Sequence, residues 1–173
     1  MPDASEQEYT EYVTARLPAL HRLAYALCGN ADEADDLVQE AVTRLYQRWA
    51  RVSRAERVDA YVRTVVVRLF IDGRRRGWWR VRLSAAPPDP PPVPADPGVE
   101  DRTVLRTALG RVPPRQRAVL VLRFLHDLPV EEVAEILGCS SGTVKSQTAH
   151  GLAAMRRQLG DREPAASAGG ERR

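Results

Sequence analysis

Residues 130–147 read VEEVAEILGCSSGTVKSQ, and the pattern of this stretch decides the fold of the second half of the chain. Counting from Val130 as position one, Ala134 falls at position five, Gly138 at nine and Val144 at fifteen. A helix-turn-helix needs these types, because a small side chain lets the helices cross, glycine adopts the positive φ of the turn, and an aliphatic residue docks the second helix. The spacing therefore predicts a helix-turn-helix.

The second helix of this pair carries polar side chains that could enter a major groove, and its first backbone amides would lie near phosphate. These side chains are Ser141, Thr143, Lys145, Ser146, Gln147 and His150. The alternative interpretation is an ordinary helical hairpin inside a bundle. Because the whole spacing is satisfied, the pattern favours DNA binding.

The rest of the second half is also predicted to be helical. A short helix is expected over residues 99–110, and Pro113-Pro114 begin another that runs to about His126, since proline suits the first turn of a helix. The last helix should run from about Thr143 to about Leu159. The remaining residues are small and polar, which predicts a disordered tail over residues 161–173.

A proline-rich stretch separates this half from the first. Residues 87–98 read PPDPPPVPADPG, with seven prolines in twelve residues, so no packed element can form there and an extended linker is expected. The chain is therefore predicted to contain a domain over residues 5–84, an acidic linker over 85–99 and a second domain over 100–160.

The first half reads as three helices. The first should run to about Cys28, where Gly29 stops it, and Asn30 then caps a second helix with Glu33 at the capping-box position. The second helix has the most regular apolar stripe: Ala34, Leu37, Val38, Ala41, Val42, Leu45, Tyr46 and Trp49. A third helix is expected over residues 59–76, with Val62, Val65, Val66, Leu69 and Phe70 facing inward. With no strand or hairpin pattern in either half, the fold class is all-α, two small helical domains.

Charge is sorted along the chain although the net charge is only +3. Residues 1–40 carry −7, residues 41–85 carry +9, residues 86–101 carry −4 and residues 102–173 carry +5. This alternation predicts different partners for different segments.

An acidic cluster lies opposite the apolar stripe of the second helix. Its members are Asp32, Asp35, Asp36, Gln39 and Glu40. Taken alone, it is typical of a solvated helix face. In a DNA-binding protein an acidic face cannot contact phosphate, so it is better suited to a basic protein partner.

A basic run interleaved with aromatic residues follows. It contains Arg63, Arg68, Arg74, Arg75, Arg76, Arg80 and Arg82 together with Tyr61, Trp78 and Trp79. Basic groups track phosphates while aromatic faces accept unstacked bases, which is how single-stranded nucleic acid is bound. A charged helix end whose tryptophans close a small core is the other interpretation, and composition does not choose between them.

Other function classes are disfavoured. Cys28 and Cys139 lack metal-ligand spacing, and the scattered histidines form neither a triad nor a metal site, so no cofactor, metal or catalytic residue is expected and the chain is not expected to be an enzyme. The acidic N-terminus is unlike a signal peptide, and no window of apolar residues is long enough to span a bilayer. We expect a cytoplasmic protein with no membrane insertion.

Taken in order, three segments resemble the extracytoplasmic-function (ECF) RNA polymerase sigma factors, and most closely an actinobacterial SigE-type subgroup. They are DEADDLVQEAVTRLYQRW, AYVRTVVVRLFIDGRRR and LGRVPPRQRAVLVLRFLHDLPVEEVAEILGCSSGTVKSQ. The resemblance covers about residues 10–160. It implies sigma region 2-like and region 4-like domains that bind core RNA polymerase and direct promoter recognition, DNA melting and transcription initiation.

The resemblance also implies roles for individual residues. Polymerase contacts would come from Asp35, Asp36, Leu37, Gln39 and Glu40. The melted non-template strand would be bound by Tyr61, Arg63, Arg68, Arg74, Arg75 and Arg76. Duplex promoter DNA would be read by Ser141, Thr143, Lys145, Ser146, Gln147 and His150. A separate anti-sigma factor is the expected restraint on the free protein.

Two alternatives stay open at this point. The chain could be an autonomous regulator that binds a palindrome as a dimer through its helix-turn-helix, with the first domain used for dimerisation. It could also be an adaptor whose helical pairs bind peptides, although the full helix-turn-helix spacing argues against this. Where many ECF members have Trp and Asn in the melting helix, this chain has Tyr61 and Arg68, which leaves its base preference open.

Overall fold

The computed structural model describes residues 4–55, 57–75 and 97–160. In the first half the helices are α1 (Ala4–Cys28), α2 (Ala31–Gln47), the short α3 (Trp49–Val52) and α4 (Val58–Arg75). In the second half they are α5 (Pro97–Gly110), α6 (Pro114–Leu120), α7 (Val130–Leu137) and α8 (Ser141–Gly160). None of the helices within these ranges combines the length and the hydropathy that a membrane span requires.

The predicted fold class is confirmed, and the predicted linker and tail fall mostly outside the described residues. We call α1–α4 the N-terminal domain and α5–α8 the C-terminal domain. Helix α5 already begins at Pro97, so the last residues of the predicted linker belong to its first turn. The tail over residues 161–173 lies wholly outside the described ranges.

The turn between α1 and α2 forms as the sequence predicts. Gly29 adopts a φ of +72°, which an L-residue with a Cβ atom rarely does, and its amide bonds to the carbonyl of Tyr25 at 2.8 Å. Asn30 is the N-cap of α2, where its side-chain oxygen accepts a hydrogen bond from the Glu33 amide at 3.1 Å. This cap fixes where α2 begins.

The apolar stripe of α2 packs into the core as predicted, with one exception. Its buried members are Ala34, Leu37, Val38, Ala41 and Leu45, and they pack in one cluster with Leu20, Leu23, Ala24 and Leu27 of α1. Tyr46 is the exception, because its ring is half exposed and its hydroxyl donates to Glu6. Trp49 is buried, but it begins the separate helix α3.

Helix α4 has two buried faces, of which the sequence predicted only one. Val62, Val66 and Phe70 are buried as expected. Val67 and Ile71 are buried too, and they follow Arg63 at intervals of four residues, so they belong to a second stripe on another side of the helix. The second stripe exists because α4 packs against α1 and α2 and also against α6 and α7.

The helix-turn-helix has the predicted geometry. Helix α7 runs from Val130 to Leu137 and ends at Gly138, whose φ is +61°. Helix α8 begins at Ser141, two residues earlier than predicted, because the Ser140 hydroxyl accepts a hydrogen bond from the Thr143 amide at 3.1 Å and thereby caps the helix. Val144 is fully buried, as its docking role requires.

The helix that precedes this motif changes its winding. Helix α6 continues into a π-helical segment, Val121–Leu125, which brings the chain to His126, the predicted end. Within this wider turn Phe124 and Leu125 are exposed, while Val121 and Leu122 are fully buried.

The two domains share a core and are joined by a buried guanidinium. One cluster of buried residues includes members from α1, α2, α4, α6, α7 and α8. The side chain of Arg117 on α6 is 5% exposed, and its Nη1 donates to the Leu27 carbonyl at the end of α1 at 2.8 Å. The same side chain donates to the carbonyls of Val112 and Gly110 and lies 5.8 Å from the ring centroid of Phe70 on α4. Because these partners come from both domains, Arg117 links them.

Candidate protein and nucleic-acid interfaces

The acidic face of α2 is exposed, as the prediction of a protein contact requires. Asp35, Asp36, Gln39 and Glu40 are all exposed to solvent. Asp35 lies 3.1 Å from His21 on α1, and Glu40 accepts a hydrogen bond from Arg44 at 2.8 Å. Both contacts lie at the surface, so each costs little free energy to exchange for a contact with a partner protein.

Leu37 differs from its neighbours in the predicted polymerase contact. Its side chain is only 4% exposed, because it belongs to the apolar stripe that packs against α1. Leu37 therefore lies beneath the acidic face in this structure and supports it from the core.

Helix α2 is positioned by aromatic residues of α1. The Tyr9 hydroxyl donates to the Val42 carbonyl at 2.8 Å, and its ring makes edge contacts with the rings of Tyr46 and Trp49 at 5.0 and 5.4 Å between centroids. Burial raises the pKa of Tyr9, and the nearby Tyr46 raises it further. Tyr9 thus stays neutral and keeps donating over the whole physiological pH range.

The start of α4 is fixed by a small polar network from α1. The Tyr12 hydroxyl donates to Asp59 at 2.7 Å, and Arg16 contacts the other carboxylate oxygen of Asp59 at 2.8 Å. Burial and the bond to Asp59 raise the pKa of Tyr12 well above its usual range, so the phenol remains a donor. Asp59 lies in the first turn of α4, where its negative charge is also favoured by the helix dipole.

The residues predicted to bind a melted strand do not share one face of α4. Tyr61 is half-buried and Arg68 is exposed, and a spacing of seven puts them on the same side of the helix. Arg63 lies on the stripe of Val67 and Ile71, toward the C-terminal domain. The side chains of Arg74 and Arg75, and all of Arg76, lie outside the described residues.

Both described arginines contact α7. Arg63 Nη1 lies 3.2 Å from Glu132 Oε1, and this pair is about two-thirds to three-quarters buried. Arg68 Nε donates to the carbonyl of Ile136 at 2.9 Å, and its Nη2 donates to that of Glu135 at 3.3 Å. Arg115 of α6 donates to the next carbonyl, that of Leu137. The C-terminal end of α7 is therefore capped by arginines from both domains.

A histidine lies close to this contact. His126 is half-buried, and in the sequence it lies between the π-helical segment and α7. Burial lowers its pKa, and the positive charges of Arg63 on α4 and Arg22 on α1 lower it further. The packed arrangement of the domains thus favours neutral His126.

The predicted recognition helix is open to solvent. Thr143, Lys145, Ser146 and His150 are exposed, while Ser141 and Gln147 are half-buried at the edge of the same surface. The other side of α8 packs against α5, α6 and α7, where Gly151 approaches Leu120 so closely that a Cβ atom would lie 3.1 Å from it. The polar side chains that the sequence selected are therefore presented outward.

Family models match both domains in order. One described as Sigma-70 region 2 matches residues 12–80, and one described as Sigma-70, region 4 matches residues 102–155. The chain is also 39% identical over 157 residues to the RNA polymerase sigma-E factor of Streptomyces coelicolor, over 88% of this chain and 86% of that protein. The chain belongs to the ECF sigma factors.

Further similarities agree with this assignment. The sigma factor is 32% identical over 150 residues to the RNA polymerase sigma factor SigV of Bacillus subtilis, covering 85% of this chain and 88% of that one. Its fold resembles that of the sigma factor RpoE of Bartonella quintana, solved in complex with the anti-sigma factor NepR, with a TM-score of 0.69 and 24% identity over 89% of this chain and 98% of that one. The structure of CnrH with the cytosolic domain of CnrY gives a TM-score of 0.60 at 19% identity, over 91% and 90% of the two chains.

This membership confirms the predicted family and decides between the three functions that the sequence left open. The protein is a transcription initiation factor that acts through RNA polymerase and promoter DNA, and it is not an enzyme. The resemblance to actinobacterial sigma-E factors is confirmed by the Streptomyces relatives.

Sequence reasoning missed three residues that shape these surfaces. Glu132 and Arg117 join the domains, and Ser140 caps the recognition helix. A serine immediately before a helix is a known capping signal, so Ser140 could have been found from the sequence. Glu132 and Arg117 could not, because their partners lie 69 and 90 residues away along the chain.

Proposed function

We propose that this sigma factor binds core RNA polymerase through the exposed acidic face of α2, formed by Asp35, Asp36, Gln39 and Glu40. The single observation that carries this proposal is the position of that face. It lies in the domain that matches region 2, on a helix held rigidly by α1, while the polar face of α8 lies in the domain that matches region 4. Charge complementarity with a basic partner would speed and orient the association.

Helix α4 is the proposed contact for the melted non-template strand. Tyr61 offers an aromatic face to an unstacked base, and Arg63 and Arg68 offer guanidinium groups to phosphates; the proposal also includes Arg74, Arg75 and Arg76. Unstacking a base costs a few kcal/mol, about 2–3, which stacking and charge neutralisation together can offset. The tight attachment of α4 to α1 through Asp59 supports a role that requires fixed geometry.

Helix α8 is the proposed reader of duplex promoter DNA. Lys145 is suited to a phosphate, because its ammonium group is a flexible point charge. Gln147 can form two hydrogen bonds with an adenine edge, and Ser141, Thr143, Ser146 and His150 complete the polar surface. The Ser140 cap fixes the first turn of α8, which is the part of the helix that would enter the groove.

The setting of these contacts is also a proposal. The protein would act in the cytoplasm, where polymerase and chromosome are accessible, with domain boundaries near residues 84 and 100. A separate anti-sigma factor is the proposed restraint, in line with the complexes in which similar folds were solved.

The experiment that tests the polymerase contact is a double charge reversal. Asp35→Arg with Asp36→Arg should abolish co-purification with core polymerase and new transcription starts from a promoter library. The matched control is Glu8→Arg with Glu11→Arg, which reverses two exposed acids on α1. If the α2 variant still co-purifies as well as the control, the acidic face is not the contact.

A further inference from the structure

A single carboxylate in the first turn of α4 is held by two side chains of α1. The Tyr12 hydroxyl donates to Asp59 Oδ1 at 2.7 Å, and Arg16 Nη2 lies 2.8 Å from Asp59 Oδ2. Because Tyr12 and Arg16 are four residues apart, they lie on the same face of α1. Both carboxylate oxygens of Asp59 are therefore engaged by one face of α1.

Tyr12 also contacts the helix that precedes α4. Its ring centroid lies 5.3 Å from that of Trp49, the first residue of α3. Trp49 is buried and belongs to the core, so it is a firm support for the tyrosine ring. Helix α3 ends at Val52 and α4 begins at Val58, so Tyr12 contacts the helices at both ends of the short connection between them. The orientation of the first turn of α4 therefore depends on this one side chain.

The charge of Asp59 is unfavourable beside a strand-binding residue. Asp59 lies two residues before Tyr61, and an uncompensated carboxylate there would repel the phosphates of a strand whose base stacks on Tyr61. The ion pair with Arg16 compensates this charge, although the side chains of both residues are about half exposed. Side chains two residues apart on a helix point about 200° away from each other. Helix α1 can therefore hold Asp59 without covering the side of α4 on which Tyr61 lies.

We infer that Tyr12 and Arg16 of α1 are positioning residues for the capture of the melted strand by α4. The Tyr12 hydroxyl fixes the orientation in which α4 presents Tyr61, and Arg16 neutralises the carboxylate beside it. Both act through Asp59 and not by touching the strand. A site that is ordered before the strand arrives binds it at a lower entropic cost. This inference rests on the proposed role of α4, and it gives α1 a part in DNA melting besides its packing against α2.

Two tyrosines of α1 form a matched pair for the test. Tyr12→Phe and Tyr9→Phe each keep a ring against Trp49 and remove one hydroxyl, but the Tyr9 hydroxyl donates to the Val42 carbonyl on α2 and not to α4. Each full-length variant is added at saturation to core polymerase and a promoter that the wild-type complex selects from a library. Opening is followed by the fluorescence of an adenine analogue in the melted region. Core binding and duplex binding are measured by fluorescence anisotropy.

Tyr12→Phe should slow opening about fivefold relative to Tyr9→Phe, because a hydrogen bond to a charged acceptor on α4 is lost. Its affinities for core polymerase and for duplex promoter DNA should equal those of the wild type. Equal opening rates of the two variants would overturn the inference. A loss of core binding by Tyr12→Phe that is large enough to explain its slower opening would do the same.

A rescue experiment tests the part played by charge. Arg16→Gln leaves the Asp59 carboxylate uncompensated and should slow opening about threefold, as expected for the loss of an exposed ion pair. Adding Asp59→Asn removes the negative charge and keeps an oxygen that accepts the Tyr12 hydroxyl, so the double variant should open promoters about as fast as the wild type. A role in stability alone predicts no such recovery. If the double variant opened promoters no faster than Arg16→Gln, the inference would be overturned for Arg16.

Tyr61→Ala separates failure of this inference from failure of the proposed function. This variant removes the proposed stacking surface and should slow opening whatever holds the start of α4. If Tyr61→Ala slows opening but Tyr12→Phe and Tyr9→Phe open promoters at the same rate, only the positioning by α1 is wrong. If Tyr61→Ala and Tyr12→Phe both open promoters at the wild-type rate, the proposed strand contact is wrong and the inference falls with it.

Discussion

Helices α4 and α8 carry the two sets of residues proposed to contact promoter DNA, and the rest of the molecule treats them in opposite ways. The polar face of α8 is open to solvent, while Arg63 and Arg68 of α4 are held by α7. A helix's own sequence thus determines what chemistry it carries. Which other element covers that chemistry depends on contacts between residues far apart in the chain.

The largest effect is expected at Arg117, whose buried hydrogen bonds link the C-terminal domain to the N-terminal domain. Arg117→Met keeps most of the side chain's volume but leaves the carbonyls of Leu27, Gly110 and Val112 without this donor. We expect the free energy of unfolding to fall by about 3 kcal/mol or more, because a buried charged hydrogen-bond network is broken. Thermal unfolding followed by circular dichroism measures the loss.

Arg111→Met is the matched control for this variant. Arg111 also donates a hydrogen bond, but to Gln158 at the exposed surface of the C-terminal domain. Its loss should change the free energy of unfolding by about 0.5 kcal/mol or less. If the two variants were equally stable, Arg117 would not link the domains.

The second largest effect is expected where α8 packs against the other helices of the C-terminal domain. Gly151→Val would place carbon atoms against Leu120, which already lies 3.1 Å from the position of a Cβ atom. We expect a loss of about 2 kcal/mol in the free energy of unfolding, as for other overpacked sites, with weaker duplex binding because α8 is displaced. Gly160→Val on the same helix meets nothing within 4 Å and should retain duplex affinity. If both variants bound duplex DNA equally well, the close packing of Gly151 against Leu120 would not position α8.

Within α8, two substitutions should separate affinity from sequence preference. Lys145→Ala should weaken binding to all duplexes and lower the salt slope by about one, because a single phosphate contact is lost. Gln147→Ala should instead relax preference at one base pair, by about 1 kcal/mol. Binding of a duplex library at several salt concentrations measures both. A uniform loss with Gln147→Ala would contradict its proposed role in reading bases.

The smallest expected effect is a pH dependence of the folding stability, which arises at His126 near the contact between α4 and α7. Burial and the charges of Arg63 and Arg22 lower the pKa of His126 from 6.5, while Glu132 pairs with Arg63 and Asp127 follows His126 in the chain. Above about pH 6.5 His126 is neutral in both the folded and the unfolded chain, so it does not change the free energy of unfolding. Below that value the unfolded chain takes up a proton that the folded state resists, so stability should fall with decreasing pH.

His126→Gln should reduce this acid sensitivity. Unfolding temperatures compared at about pH 7.5 and about pH 5.5 measure it. His150→Gln, which alters an exposed histidine on α8, should behave as the wild type. The same acid loss in His126→Gln and wild type would show that another group is responsible.

The sequence predicted local features well because their causes are local. Gly29 and Gly138 ended helices as their positive φ values require, Asn30 capped α2, and the α2 stripe entered the core. The acidic face of α2 and the polar face of α8 followed from helix periodicity alone. Leu37 was grouped with that face, but its position lies on the apolar stripe and its side chain is buried, while its neighbours in sequence are exposed.

The features that the sequence could not predict depend on how the domains pack. The second buried stripe of α4, Val67 and Ile71, was not recognised, because the sequence of a helix does not predict which other element will pack against each of its faces. Nothing in the composition of residues 41–85 indicated that Arg63 would pair with Glu132. The basic run therefore predicted a role for Arg63 and Arg68 without indicating that both would contact α7.

The central claim, that the free sigma factor holds α4 against α7 while α8 stays open, is tested most directly by one distance. Spectroscopic labels on cysteines replacing the exposed Glu8 of α1 and Arg156 of α8, with Cys139 changed to serine, report the separation of the domains. The account predicts one narrow distance distribution for the free protein and a different, longer distance once core polymerase and promoter DNA are added. A broad distribution in the free protein that polymerase and DNA leave unchanged would contradict it.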